Sequence, residues 1–317
     1  MNGSLGLVLS GGGGKGAYEI GVWKALNEFG MDQKIGAVAG TSIGALNAAL
    51  FLQGDIDLAE RVWLSISPEK ILTINPALFT RKLMSLGASS GMISYLAQKA
   101  AILSGYGVFS REGLLQIIRE SINLTAVSSS TIPFYATCCT ISNVVRQKAT
   151  YFQVNGCNEE RMISILLASS AIPGIFPPEH IDGDIYWDGF LVDNTPIEPL
   201  YQNGCNLIIA VHLDGASLID YDRYPNAKII EIIPQEDLGG AKGSLDFTAS
   251  GAKKRMEQGY QDTKRILEPV LNMLTIQKKM MDGLERLKRN ESQFREKRAD
   301  LLSDRDRLKQ EIDQYLS

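Results

Sequence analysis

The sequence predicts an α/β protein: a mostly parallel central sheet with helices on both faces, followed by a long helical tail. Three observations carry this. The first fifty residues alternate apolar strand-like runs with helical runs. Short apolar runs of near-continuous character then recur as far as Pro234. After about Lys264 the composition turns charged, with an apolar residue every seventh position.

Taken in order, Leu5–Ser10 (LGLVLS) is short and rich in strand formers. Gly11 to Gly14 break it, and Ala17–Phe29 carries Tyr18, Val22, Ala25, Leu26 and Phe29 at helical spacing. A second strand (IGAVAG, Ile35–Gly40) and a second helix from Ile43 complete a βαβ unit, which requires parallel strands and a right-handed crossover. Pro133–Ile141, Ala149–Val154, Cys205–Leu213 and Ala227–Pro234 read as further strands, apolar enough for a sheet covered on both faces. Between them, Asn75–Tyr106 sets Met84, Leu86, Met92, Leu96, Ile102 and Leu103 among glycine, serine and lysine. It reads as a helical layer of the core, with an insertion over the site as the alternative. In the tail, Met280, Leu287, Phe294, Leu301, Leu308 and Tyr315 form one half of a coiled-coil seam. The other half, Leu284, Glu291, Arg298, Arg305 and Ile312, is mostly charged. The expected division is residues 1–267 as one α/β domain and 268–317 as a helical tail. That tail pairs with a second copy or another protein, packs back on the α/β domain, or stands mostly solvated.

The 317 residues are enough for a well-buried core. A hydrophobic fraction of 44% and a mean hydropathy of -0.04 are ordinary for a globular chain. Net charge -4 and a pI near 5.4 argue against a nucleic-acid partner held by phosphate contacts. The start, MNGSLGLVLSGGGG, has neither the basic region nor the apolar length of a secretory signal. No stretch approaches the roughly 18 apolar residues of a membrane span. Cys138, Cys139, Cys157 and Cys205 show no metal-ligand spacing, which favours a reduced, cytoplasmic chain without a bound metal.

Chemistry concentrates at two turns. Gly40-Thr41-Ser42-Ile43-Gly44 follows a strand and precedes a helix, the setting in which G-x-S-x-G presents a serine hydroxyl on a sharp turn. The Ile43 N–H, at the helix start, is then placed to meet an oxyanion. The loop Gly11-Gly12-Gly13-Gly14-Lys15-Gly16 ends the first strand on the same sheet edge, where its N–H groups can turn to a ligand oxygen. It fails as a Walker A loop, because Lys15 precedes the last glycine and no Ser or Thr follows. The dinucleotide fingerprint G-x-G-x-x-G is present at Gly11, Gly13 and Gly16, but the next strand ends in Gly-Thr-Ser and not in an acidic residue, which leaves nucleotide binding as a minor alternative.

A serine needs a base, and the chain has only two histidines, His180 in a proline-rich turn and His212 near a strand end. Both read as structural. In Ile181–Leu200 the carboxylates Asp182, Asp184, Asp188 and Asp193 compete, with Asp188 at a tight turn after an Ile-Tyr-Trp strand.

In order along the chain, LSGGGGKGAYEIGVWKAL, AGTSIGALNAAL, ASSAIPGIFPP and YWDGFLVDNTPIEPL resemble the patatin-like phospholipases over roughly Leu5 to Arg265. The resemblance implies a three-layer patatin-like fold and hydrolysis of acyl esters of membrane phospholipids, with no cofactor. It implies Ser42 as nucleophile, Asp188 as base, and an oxyanion hole from Gly11 to Gly16, chiefly Gly12 and Gly13, braced by Lys15. A membrane surface is then the substrate, met peripherally. One departure stands out: the family's Asp-Gly-Gly or Asp-Gly-Ala is here Asp188-Gly189-Phe190, which adds bulk beside the base and disfavours a positive φ. A transacylase on the same dyad and a catalytically weak lipid-binding scaffold are the rival readings.

Overall fold

The computed structural model describes residues 4–71, 109–141, 147–215 and 219–316, so the expected helical layer Asn75–Tyr106 lies outside the described residues. The chain divides into two units, Met1–Lys264 and Arg265–Ser317. Its elements run β1 (Ser4–Leu9), α1 (Ala17–Glu28), β2 (Ile35–Thr41), α2 (Ile43–Leu52), α3 (Ile56–Ser65), α4 (Pro68–Ile71), α5 (Glu112–Ser121) and α6 (Leu124–Ser129). There follow β3 (Phe134–Ile141), β4 (Gln147–Gln153), α7 (Glu159–Ser169), β5 (Glu179–Ile181), β6 (Asp184–Asp188), α8 (Glu198–Gln202), β7 (Cys205–Val211), β8 (Lys228–Ile232), α9 (Gly240–Leu245) and α10 (Ala249–Leu316).

Five strands, in the order β3-β2-β1-β7-β8, pair in parallel. The period-2 alternation of the strands sends successive side chains to opposite faces. On one face Val8, Ala37, Ala39, Ile208 and Ala210 pack with Ile197 and Leu200. Facing the other way, Leu7 and Leu9 meet Ile20, Trp23, Leu26 and Phe51 of α1 and α2. Each such fully buried aliphatic side chain contributes roughly 1.5–3 kcal/mol. The start of α10 crosses α1 at two glycines. A Cβ on Gly21 would lie 1.8 Å from the Met256 carbonyl oxygen, and one on Gly259 would lie 2.1 Å from that of Tyr18.

Antiparallel pairing supplies the rest. β4 lines one edge of β3 from Tyr135 to Ile141, leaving the other edge to be shared. β2 takes that edge as far as Thr41↔Thr137, and β6 takes it from Cys138↔Asp188 onward, running the opposite way. The C-terminal ends of β2 and β6 therefore abut on the same edge of β3. His180, expected in a turn, sits in β5, which pairs with β6 as a short hairpin. The proline pair before it, Pro177-Pro178, ends as soon as backbone N–H groups are needed for the ladder.

Candidate active site

Ser42 stands at the junction of β2 and α2 with φ 56° and ψ −124°, a conformation that a non-glycine residue keeps at a cost of order 1–3 kcal/mol. The surrounding sequence permits no bulk. A Cβ on Gly40 would lie 2.4 Å from the Gly44 carbonyl oxygen, and one on Gly44 would lie 2.3 Å from that of Leu9. The turn is held from below by Ser169, at the end of α7. Its hydroxyl accepts from the Ser42 N–H at 2.9 Å and donates to the Thr137 carbonyl at 2.7 Å. Sequence reasoning did not name Ser169, although it lies in the segment ASSAIPGIFPP, whose small residues are the available signal.

The Ser42 hydroxyl donates to Asp188 Oδ2 at 2.6 Å. These residues are 146 positions apart and meet because β2 and β6 end on one edge of β3. The other carboxylate oxygen of Asp188 accepts from the Phe190 N–H at 2.9 Å. Asp188 is fully buried, and burial raises its pKa to about 7, against the opposing pull of the Phe190 and Ser42 hydrogen bonds. Gly189 is required for contact: a Cβ there would lie 2.5 Å from the Thr137 carbonyl oxygen.

The competing aspartates are occupied elsewhere. Asp182 pairs with Arg161 at the surface, and that guanidinium lowers its pKa. Asp193 accepts from the Tyr151 hydroxyl at 2.6 Å, and burial raises its pKa. Its backbone carbonyl accepts from Thr41 Oγ1 at 2.9 Å, which ties the Asp193–Thr195 turn to the end of β2. Asp184 opens β6 and is exposed. His212 lies 2.8 Å from Glu231, and burial lowers its pKa. Neither histidine is the partner of Ser42.

Phe190 does not carry the expected strain. Among the described non-glycine residues only Ser42 and Asp182 have positive φ, and the Phe190 side chain is 45% exposed. A three-residue helical turn, Gly189–Leu191, directs the ring outward.

The glycine loop lies against this pair: a Cβ on Gly11 would stand 3.2 Å from Ser42 Cβ and 2.5 Å from Asn194 Oδ1. The Gly11 N–H donates to the Asn194 carbonyl at 3.3 Å, and the Lys15 N–H donates to Gly12 O at 3.3 Å. Among the described residues, nothing outside the turn takes the N–H of Gly12 or Gly13. Lys15 is buried, with its ammonium 2.5 Å from Asp214. Gly16 ends the loop by direct packing, since a Cβ there would lie 2.7 Å from Ile43 Cγ1. From α10, Arg255 reaches under the loop to the carbonyls of Gly14 and Asp246 at 3.4 and 3.0 Å. Asn47, on α2, donates to Gly16 O at 2.9 Å and to Glu19 Oε2 at 2.7 Å, and accepts from Trp63 Nε1. Burial pushes the Glu19 carboxyl well above its ordinary pKa.

Two spaces flank the site. A polar cleft of about 580 Å³ opens beside Phe190 and Asn194 and includes Tyr151, Asp193, Arg223 and Tyr224. It reaches the C-terminal ends of β1 and β7 at Ser10 and His212, where the chain leaves β1 toward β2 and leaves its neighbour β7 toward β8, in opposite directions. An apolar cavity of about 30 Å³ runs beside α2, bordered by Ile43, Leu46, Leu50, Val62 and Ile66. Among the described residues no group of three His, Cys, Asp or Glu side chains could hold a metal ion, and no helix is long and apolar enough to cross a membrane.

Fold and site together define a class: a mainly parallel α/β sheet presenting a strained serine to a buried aspartate. The family model described as patatin-like phospholipase matches residues 7–201, and the chain belongs to that family. An uncharacterised NTE-family protein of Mycobacterium tuberculosis is 27% identical over 211 residues, 66% of this chain and 49% of that protein. Lysophospholipase NTE1 of Cryptococcus neoformans is 29% identical over 220 residues, 68% of this chain and 12% of that protein. The chain thus spans about half the length of the bacterial relatives it matches and a much smaller part of the fungal ones. Human GIVD cytosolic phospholipase A2 matches in structure with a TM-score of 0.49 and 9% identity, covering 85% of this chain and 59% of that one.

Proposed function

We propose that this chain is a lipid acyl hydrolase of the phospholipase A or lysophospholipase type, acting through Ser42 and Asp188. The observation that carries the reading is the 2.6 Å contact from the Ser42 hydroxyl to a carboxylate whose burial raises its pKa to about 7. An aspartate at its reference pKa near 4 is a weak base for a serine hydroxyl. Raised toward neutrality, it is ionised over the upper physiological range and better matched to its task.

In the first step Ser42 Oγ bonds to the acyl carbonyl carbon as its proton passes to Asp188. The carbonyl oxygen becomes an oxyanion, which the N–H groups of Gly12 and Gly13, and of Ile43 at the start of α2, are assigned to hold. Each such donor is worth roughly 3–4 kcal/mol. Collapse expels the lysolipid or alcohol, which takes the proton from Asp188. Water, deprotonated by Asp188, then attacks the acyl-serine; the bond to Ser42 Oγ breaks, Asp188 returns the proton to that oxygen, and the fatty acid is released. We place the acyl chain along the apolar flank of α2 and the polar remainder in the cleft beside Phe190. The apolar cavity holds roughly one water-sized group, so the acyl chain has to widen it. The Ser42–Asp188 hydrogen bond is made with Phe190 in place and 45% exposed beside it, which supports an active site over the scaffold reading. The reading also assigns Arg265–Ser317 to association with a second copy or a protein partner.

The test is labelling with a fluorophosphonate probe, run beside fatty-acid release from mixed phospholipid vesicles, in wild type, Ser42→Ala and Asp188→Asn. Labelling lost in Ser42→Ala, with release lost in both variants, is the expected result. A folded wild type that neither labels nor releases fatty acid refutes the reading. Adding an acceptor alcohol and identifying the product separates hydrolysis from acyl transfer.

A further inference from the structure

The helical unit leaves many apolar side chains in water, and six of them fall in one row. Met273, Met280, Leu287, Phe294, Leu301 and Leu308 recur every seven residues of α10, each between 54% and 70% exposed. A second row, three residues earlier in each heptad, reads Leu284, Glu291, Arg298, Arg305 and Ile312: apolar at its ends and charged in the middle. A solvated helix carries its charge all round and needs no such stripe. A strict seven-residue period is the signature of a seam that faces another helix.

The charges decide which helix fits. Two copies laid parallel and in register would set Glu291 against Glu291, Arg298 against Arg298 and Arg305 against Arg305, three like-charge layers in succession. Laid antiparallel, each second-row residue faces a first-row residue of the other copy. One register closes every layer: Met280 on Ile312, Leu284 on Leu308, Leu287 on Arg305, Glu291 on Leu301 and Phe294 on Arg298. There Glu291 lies between Arg298 and Arg305 of the second copy, opposite in sign to both. Within its own helix Glu291 Oε1 holds Arg295 at 2.6 Å, which leaves Oε2 for the partner. Each Arg298 guanidinium meets a Phe294 ring face, and the arginine stems cover the apolar row.

We propose that this stripe is an antiparallel, two-stranded coiled-coil interface with a second copy of the same chain. The proposal rests on reading the helical unit as an association surface, and not on the chemistry of Ser42. A dimer that hydrolyses nothing sinks the hydrolase reading alone, and a hydrolytic monomer sinks the pairing alone.

Sedimentation equilibrium of the full chain is expected to give twice the 34.7 kDa chain mass. The monomer mass across the micromolar range, or a trimer or tetramer, overturns the proposal; a monomer would leave the row to a protein of different sequence. Glu291→Arg is expected to weaken the dimer about tenfold, and adding Arg298→Glu and Arg305→Glu to restore it. Parallel pairing instead predicts no loss from Glu291→Arg, because one like-charge layer replaces another. Orientation is read from a nitroxide on Asp282→Cys in a Cys157→Ser background. The antiparallel register separates the two labels by 28 residues of helix, about 42 Å along the axis. Labels side by side, at about 10–20 Å, overturn the antiparallel arrangement.

Discussion

Ser42 and Phe294 occupy opposite surroundings. Ser42 is buried, holds a positive φ, and has partners at Ser169 and Asp188, more than a hundred residues away. Phe294 is 66% exposed on a helix whose backbone hydrogen bonds close within one turn. The contrast shows what each kind of structure can sustain. A strained backbone and a buried carboxylate persist only where many distant contacts over-determine the geometry. A long exposed helix rests on propensity and local ion pairs such as Glu291–Arg295, worth a few tenths of a kcal/mol each.

The largest effect is expected at the serine. Ser42→Ala is expected to abolish probe labelling and to lower fatty-acid release by at least about 10³-fold while the fold persists. Ser42→Gly loses the same activity yet should unfold at higher denaturant, by about 1 kcal/mol, because glycine accepts the positive φ. A less stable Ser42→Gly would mean that the turn stores no strain.

Asp188→Asn is expected to cost about as much activity, with a stability effect that depends on pH. Burial raises the folded-state pKa to about 7, above an unfolded value near 4. Between those values the unfolded chain has released a proton that the folded chain keeps. Stability therefore falls as pH rises from about 4 to 7, and the full loss remains above that. Asp188→Asn should melt above wild type at pH 8 and lose that advantage at pH 4. Wild-type release should rise with pH through about 7; a rate flat from pH 5 to 9 would contradict the base assignment.

Glycines sharpen the contrast next. Gly189→Ala drives a Cβ to within 2.5 Å of the Thr137 carbonyl oxygen and should destabilise the α/β unit by more than about 2 kcal/mol. Gly283→Ala, with nothing within 4 Å, should stabilise α10 by about 0.5–1 kcal/mol, read by hydrogen exchange along that helix. Equal effects would erase the distinction.

The smallest effect is expected from Glu19→Gln. Burial raises the pKa of this carboxyl well above its ordinary value, so replacing it by the neutral, similarly shaped glutamine should change kcat by less than about threefold. Glu19→Ala removes the acceptor of Asn47 and leaves a cavity. It should cost about 2–4 kcal/mol and lower kcat by loosening the glycine loop from α2.

Much of this was legible in one dimension because the physics involved is local. The six strands read from apolar runs are present with ends shifted by one or two residues, and the heptad row lies along one helix. Ser42 and the glycine loop could be named as candidates from motif and turn chemistry, whereas Asp188 was singled out from Asp182, Asp184 and Asp193 only by the resemblance to patatin-like phospholipases. The hairpin partner β5 could not, because a three-residue strand has no periodicity to detect. Nor could the Phe190 side chain be placed, because its orientation follows from the helical turn after β6.

By itself, then, the sequence determined where six strands, the first two helices, the tail helix and the sharp turns at Gly11–Gly16 and Ser42 fall, since each depends on spacing and backbone freedom within a few residues. Tertiary structure alone decided that β2 and β6 divide one edge of β3, which brings Ser42 Oγ and Asp188 Oδ2 to 2.6 Å. It also decided that Ser169 occupies the Ser42 N–H, that Asn194 occupies that of Gly11, and that Asp188 is dry enough to hold its proton near neutrality. These depend on strand register and on exclusion of water by residues distant in sequence, and neither is encoded in any local pattern.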